Sequence, residues 1–310
     1  MDKIILMNNI KKKALVLLKN FHLDICSFLI SLIFLVNFSF PGIGKCEEEP
    51  NILIEPASIK LGDTVSVKVK KEQGTDKLPK IFFDKERIPT FLINNDQCRG
   101  LIPITAGVKP GKHSIDIFYG KKSKSIDLNI SDPKYPIENL TLPKTVAGLK
   151  ASKTEKDLVG KALYTVSNEK LWSGKFIFPS EAKQNTIYGV KRKINGTLDP
   201  DYFHKGLDFA AKEGASVKAP ENGKVIVAGL LSKGFVVNGN CIFLDHGQGV
   251  VSAYLHLSSV LVKEGDLVKK GQLIGKVGGT GIASGPHLHW GIYVLGKPVE
   301  PLEWVSRVID

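Results

Sequence analysis

Two short segments hold the side chains best suited to chemistry: His-Lys-Gly-Leu-Asp at 204–208 and His-Leu-His at 287–289, about 80 residues apart. Together they offer imidazoles and a carboxylate, the donor types of a catalytic zinc, which keeps three protein ligands and one open position. Residues two apart in a strand face the same way. His287 and His289 are therefore expected on one face, with Leu288 and Trp290 packed behind, so that one imidazole can hold a metal while its neighbour works beside it. His204 and Asp208 would stand roughly 13 Å apart on a straight strand, too far for one ion to bridge easily. A bend at Gly206, where no side chain resists it, is the expected solution: a strand entering from a loop. A helix also brings positions four apart together, but Gly206 and the β-like run Leu207-Asp208-Phe209 argue against one. A third histidine in Tyr254-Leu255-His256-Leu257 and a glycine-rich approach from Gly278 to Pro286 join the set.

At these residues the sequence resembles the lysostaphin-type zinc endopeptidases of bacterial cell walls, over roughly 176–304. The most specific pieces are His-Lys-Gly-Leu-Asp-Phe-Ala-Ala at 204–211, Ala-Tyr-Leu-His-Leu at 253–257 and Ser-Gly-Pro-His-Leu-His-Trp-Gly at 284–291. The resemblance implies one zinc per chain on His204, Asp208 and His289, with His256 and His287 as catalytic histidines. It also implies peptidoglycan stem peptides as substrate. Some family members carry an upstream tyrosine that helps at the oxyanion; Tyr202 lies close, but not at a spacing that aligns. The run from Tyr188 to Arg192 and the pair Asn195-Gly196 resemble one branch of the family. Arg192 is left as either a cleft residue or a structural one.

The chemistry suits the residue types. Two neutral imidazoles and a carboxylate leave zinc a net positive charge and a fourth position for water. Zinc lowers the pKa of that water from about 15.7 to about 7. At about 1.36 kcal/mol per unit this removes roughly 12 kcal/mol from the cost of making hydroxide. No HExxH helix supplies a glutamate base, so histidine must accept the proton, and His256 or His287 can do this or stabilise the oxyanion. The expected function is an exported endopeptidase cutting peptide cross-links of peptidoglycan by a metal-activated water. The alternative is a catalytically silent activator of other wall hydrolases, as some proteins with this fold are.

The elements that position these residues read as mainly β. Residues 1–45 hold Lys3, Lys11, Lys12, Lys13 and Lys19 ahead of an uncharged stretch from Ile25 to Gly44, long enough to span a bilayer. Positive charge on the near side sends the remainder of the chain outward, to the periplasm or cell envelope. The segment reads as a signal peptide in preference to a permanent membrane anchor, without a clean A-x-A site; Lys45 suits a lipid signal at Cys46 poorly. Residues 50–133 alternate in period two, as at Val65, Val67 and Val69 and at Ile115, Ile117 and Tyr119, with turns near Gly62, Gly111 and Gly120. An immunoglobulin-like sandwich is expected there. Residues 134–175 form a linker, Pro-rich to Pro143, with a helix opened by the capping box Ser152-Lys153-Thr154-Glu155. Residues 176–305 form the peptidase domain, a largely antiparallel sheet with strands at 223–228, 240–245, 250–257, 272–277 and 288–294. Loops near 189–203 and 278–286 should select the substrate.

Other readings fail on specific residues. The run 262–275 has carrier-barrel grammar, but the chain's methionines are Met1 and Met7, so no Met-Lys-Met site exists. The glycines at 275–281 lack the Gly-Lys-Ser/Thr of a phosphate loop. Net charge is +12, of which the first 45 residues hold +4, six lysines against Asp2 and Asp24. The rest is spread without the aromatic-interleaved stripe of a nucleic-acid binder. No CxxC framework appears among the four cysteines, and Cys241 is expected as a buried thiol.

Overall fold

Alternating β-branched residues become strands. The structure, a computed structural model, describes residues 51–71 and 77–310; the lysine-flanked apolar leader and Cys46 lie outside them. β1 (Ile52–Glu55), β2 (Ile59–Lys60), β3 (Thr64–Lys70), β4 (Lys80–Phe83), β5 (Glu86–Ile88), β6 (Phe91–Leu92), β7 (Gln97–Pro103), β8 (Gly111–Tyr119) and β9 (Lys122–Ser131) make two sheets, ordered β1-β3-β7-β6 and β2-β9-β8-β4-β5. Val65, Val67 and Val69 meet Ile81, Ile115 and Ile117 in a shared core, as the alternation requires.

The other face of β3 departs from a simple polar-out pattern, because Thr64 and Ser66 are also buried. The C-terminal segment covers them. Thr64 N donates to the Glu303 carboxylate at 2.7 Å, and Ser66 Oγ donates to Asp310 O at 2.8 Å. Buried Arg99 is held by Asp310 at 3.0 Å and by Gln248. An unpaired guanidinium there would be strongly destabilising, so these contacts fasten the C-terminus to β3 and β7. Residues 50–310 form one compact unit.

The proline-rich linker is more ordered than its composition indicates. It contains β10 (Ile137–Leu140), which pairs in parallel with residues 191–194, Glu138 opposite Arg192. Helices α1 (Lys144–Ala147) and α2 (Lys153–Leu163) come after it. Ser152 Oγ accepts from Glu155 N at 3.0 Å, so one half of the expected capping box forms. The Glu155 carboxylate goes elsewhere, to the loop at 236–238. The apolar stripe of α2, with Ala162 at its centre, lies on Val227, Phe235 and Phe243.

The rest of the chain contains β11 (Lys183–Thr186), β12 (Lys191–Ile194), β13 (Thr197–Leu198), β14 (Leu207–Ala210), β15 (Ser216–Lys218), β16 (Gly223–Gly229), β17 (Asn240–Gly247), β18 (Val250–Val260), β19 (Leu267–Val268), β20 (Leu273–Val277), β21 (His287–Val294) and β22 (Lys297–Val299). Ten of these form one sheet along the path β11-β14-β21-β18-β17-β16-β19, with β15, β20 and β22 attached. Its pairings are antiparallel. Leu207, Tyr254, Leu288 and Trp290 fill the core behind the sheet, and α3 (Pro301–Ser306) sets Trp304 edge-on to Trp172 and Phe176. Cys98 and Cys241 are buried free thiols. Among the described residues no helix is long and apolar enough to cross a membrane.

Candidate metal centre

Antiparallel pairing of β14 with β21 sets Asp208 directly opposite His289 and Ala210 opposite His287. Cross-strand partners share a face with Cβ atoms about 5 Å apart, so Asp208 and His289 are brought together by register alone. His204 arrives from the loop before β14. Its N–H donates to Val190 O, its carbonyl accepts from Gly189 N, and its Nδ1–H donates to Ile187 O, each at 2.8 Å. The close approach depends on Gly206, where a Cβ would lie 2.3 Å from Trp290 O. Gly206 is needed for lack of bulk.

Three atoms converge. His204 Nε2 is 3.0 Å from His289 Nδ1 and 2.9 Å from Asp208 Oδ1, which is itself 2.9 Å from His289 Nδ1. Because Nδ1 of His204 must donate to a carbonyl, its Nε2 carries the lone pair in the neutral ring. Lone pairs held this close repel unless a proton or cation lies among them. Tetrahedral zinc with bonds of about 2.0–2.1 Å spaces its ligand atoms about 3.3 Å apart, close to the size of this triangle. The donor set thus fits a divalent cation, and zinc in particular.

The electrostatics agree. Burial pushes Asp208 up, but hydrogen bonds and charge from His204 and His289 outweigh it and hold the carboxyl well below the usual range. Burial, against the pull of Asp208, takes His289 down to about 4. A carboxylate and neutral imidazoles are the forms that bind metal.

His287 shares the His289 face, its Nε2 3.9 Å from Asp208 Oδ1. His256 reaches it by a different route. Leu255 is the residue opposite His289, so strict alternation would turn His256 to the far side of the sheet. Instead His256 adopts φ +64°, beside irregularities in the pairing of β18 with β17 and β20. Its ring then stands 4.9 Å from that of His287 and 6.3 Å from that of His289. Its Nδ1 donates to Thr280 O, and that of His287 to Gly285 O, both at 2.8 Å. Each neutral ring therefore keeps its lone pair on Nε2. Burial, with His287 and His289 adding to it, takes His256 down to about 3, so it is neutral at pH 7.

Arg192 and Tyr202, whose roles the sequence leaves open, both line the site. Arg192 Nη2 donates to Asp208 Oδ2 at 2.8 Å, so it braces the carboxylate oxygen that faces away from the histidines. Tyr202 lies on the cleft wall. The site opens into a cleft of about 780 Å³, walled by the β12 side, the glycine loop 282–286, and also by Glu138 and Val159 of the linker. The linker's part in the wall had no signal in composition.

Residues 202–301 match the profile of Peptidase family M23. The chain is 39% identical over 118 residues to Peptidoglycan DD-endopeptidase ShyB of Vibrio cholerae, covering 37% of this chain and 26% of that protein. It is 34% identical over 130 residues to Murein hydrolase activator NlpD of Escherichia coli, covering 42% and 31%. The match thus spans less than a third of the length of these curated relatives. A crystal structure of a Pseudomonas aeruginosa protein named for peptidase M23 superposes with TM-score 0.58 at 24% identity, covering 80% of this chain and 94% of that one; the likeness concerns the fold. This chain carries a lysostaphin-type domain of peptidase family M23.

Proposed function

We propose that the protein is an exported zinc endopeptidase that hydrolyses peptide cross-links of bacterial peptidoglycan. The observation that carries this reading is the convergence of His204, Asp208 and His289 with two further histidines whose Nε2 lone pairs are free for proton transfer. Zinc held by the first three would polarise the scissile carbonyl and acidify water. The chain's own residues supply the rest. Arg192 keeps Asp208 oriented. His256 and His287 take a proton from attacking water at Nε2 and return one to the leaving amine, and a protonated imidazole there stabilises the oxyanion.

Support for the substrate class comes from the endopeptidase relative. Support for export comes from the lysines preceding the uncharged stretch Ile25 to Gly44; if uncleaved, this segment would tie the protein to the membrane. We further infer that residues 50–133 are an immunoglobulin-like domain. The order β1-β3-β7-β6 against β9-β8-β4 corresponds to the ABED and GFC sheets of that fold. Its place is positioning, with 134–175 as the connection to a peptidase domain at 176–305.

The second reading, an activator without catalysis, is favoured by the similarity to NlpD. Against it, all five positions carry the residues that hydrolysis needs. Incubating zinc-loaded full-length protein with cross-linked sacculi and identifying released muropeptides by mass spectrometry tests the proposal. New amine and carboxyl ends at cross-links are expected; stoichiometric zinc without any cleavage would favour the activator.

A further inference from the structure

Glu155 is buried, with 1% of its surface exposed, although it belongs to a linker helix. Its carboxylate accepts three consecutive backbone N–H groups: Val236 at 3.0 Å and Val237 at 3.1 Å on Oε2, and Asn238 at 2.7 Å on Oε1. Successive N–H groups of this kind form a concavity that holds an anion. Left without an acceptor, buried donors would each cost about 1–3 kcal/mol. The loop is thus shaped around this carboxylate.

The same loop holds His256. Asn238 O accepts the His256 N–H at 3.0 Å, and Val237 O accepts Ile282 N at 2.9 Å. A Cβ at Gly281 would stand 2.4 Å from Val237 O, so the glycine loop lies directly on these residues. That loop carries Thr280 O, the acceptor for His256 Nδ1. Both backbone and ring of His256 therefore rest on the segment that Glu155 orders. The left-handed conformation of His256 is costly for a residue with a side chain and persists where its surroundings over-determine it.

We propose that Glu155 is a positioning residue for catalysis: through the 236–238 loop it holds His256 on the cleft face, making the linker helix a working part of the peptidase. This rests on the reading of His256 as a proton-transfer group. Glu155 touches neither His204, Asp208 nor His289, so metal retention and turnover separate.

The test uses Glu155→Gln, which puts an N–H₂ against backbone donors, and Glu155→Asp, which keeps the charge one methylene short. Full-length zinc-loaded proteins are compared. In the Gln variant, kcat is expected to fall on the order of a hundredfold, the scale of a roughly 1 Å misplacement, with KM within about threefold and zinc at one per chain; the Asp variant falls between. Amide exchange is expected to quicken at 236–238 and at His256 but not in β14. Either variant, folded and zinc-loaded, showing kcat within about twofold of wild type, or unchanged exchange at His256, overturns the proposal. Wild-type protein that cleaves no sacculi would instead sink the reading of function, and exchange at His256 would still judge Glu155.

Discussion

His256 and His287 lie side by side in the cleft with ring centroids 4.9 Å apart, yet they reach that position by different backbone rules. His287 obeys strand alternation. His256 violates it through a left-handed φ, held by Asn238 O behind and Thr280 O at the ring. The two imidazoles are consequently separable from the metal triangle by mutation.

His287→Ala is expected to keep one zinc per chain and lose most turnover, about a hundredfold or more. His204→Ala and Asp208→Ala should lose the metal as well. Elemental analysis beside muropeptide release checks both; full activity in His287→Ala would refute its role.

Arg192→Gln should weaken zinc binding by about 10–100-fold, the usual cost of losing a group that orients a ligand. Competition with a chromophoric chelator measures it. Unchanged affinity would mean that the 2.8 Å contact with Asp208 Oδ2 does not orient the carboxylate.

Gly206→Ala places a methyl 2.3 Å from Trp290 O, a backbone atom in a paired strand that cannot step aside. Strain of at least about 1–3 kcal/mol is expected, with zinc affinity reduced because His204 is displaced. Urea midpoints and metal content report the two effects. A variant as stable and as metal-replete as wild type would show that the loop has slack.

His246 makes no contact with the His204, Asp208 and His289 cluster; its Nδ1–H donates to Asn222 O and its Nε2 faces Ser252 Oγ, each at 2.7 Å. Burial takes its pKa down to about 4 from an ordinary 6.5. Between these values the unfolded chain binds the proton and the folded one does not, so stability falls as pH drops from above 6.5 towards 4. The loss attributable to this residue is about 2 kcal/mol between about pH 7 and about pH 5. Denaturant titrations should show a weaker pH slope in that interval for His246→Gln than for wild type. Equal slopes would contradict the assignment.

Much of the site is legible in the amino-acid sequence. Donor types and the two-residue spacing place His287 and His289 together, and Gly206 is legible as a bend, whereas the fold uses its missing side chain for a close approach to Trp290 O. Alternation at Val65, Val67 and Val69 locates a core face, but not the burial of Thr64 and Ser66 behind it, which depends on residues far along the chain, Glu303 and Asp310. Glu155 shows the limit most clearly. Its spacing from Ser152 reads as a local cap, whereas its carboxylate serves a loop more than eighty residues away.

Local geometry and chemical type set the inventory that the residues carry on their own: which donors exist, which pairs share a strand face, and which segments alternate. Folding is what sets Asp208 opposite His289, Arg192 against Asp208, and His256 inward beside the loop that Glu155 binds. Each of these depends on register, a backbone irregularity or a long-range hydrogen bond, and pairings between distant segments are set by the packing of the whole chain.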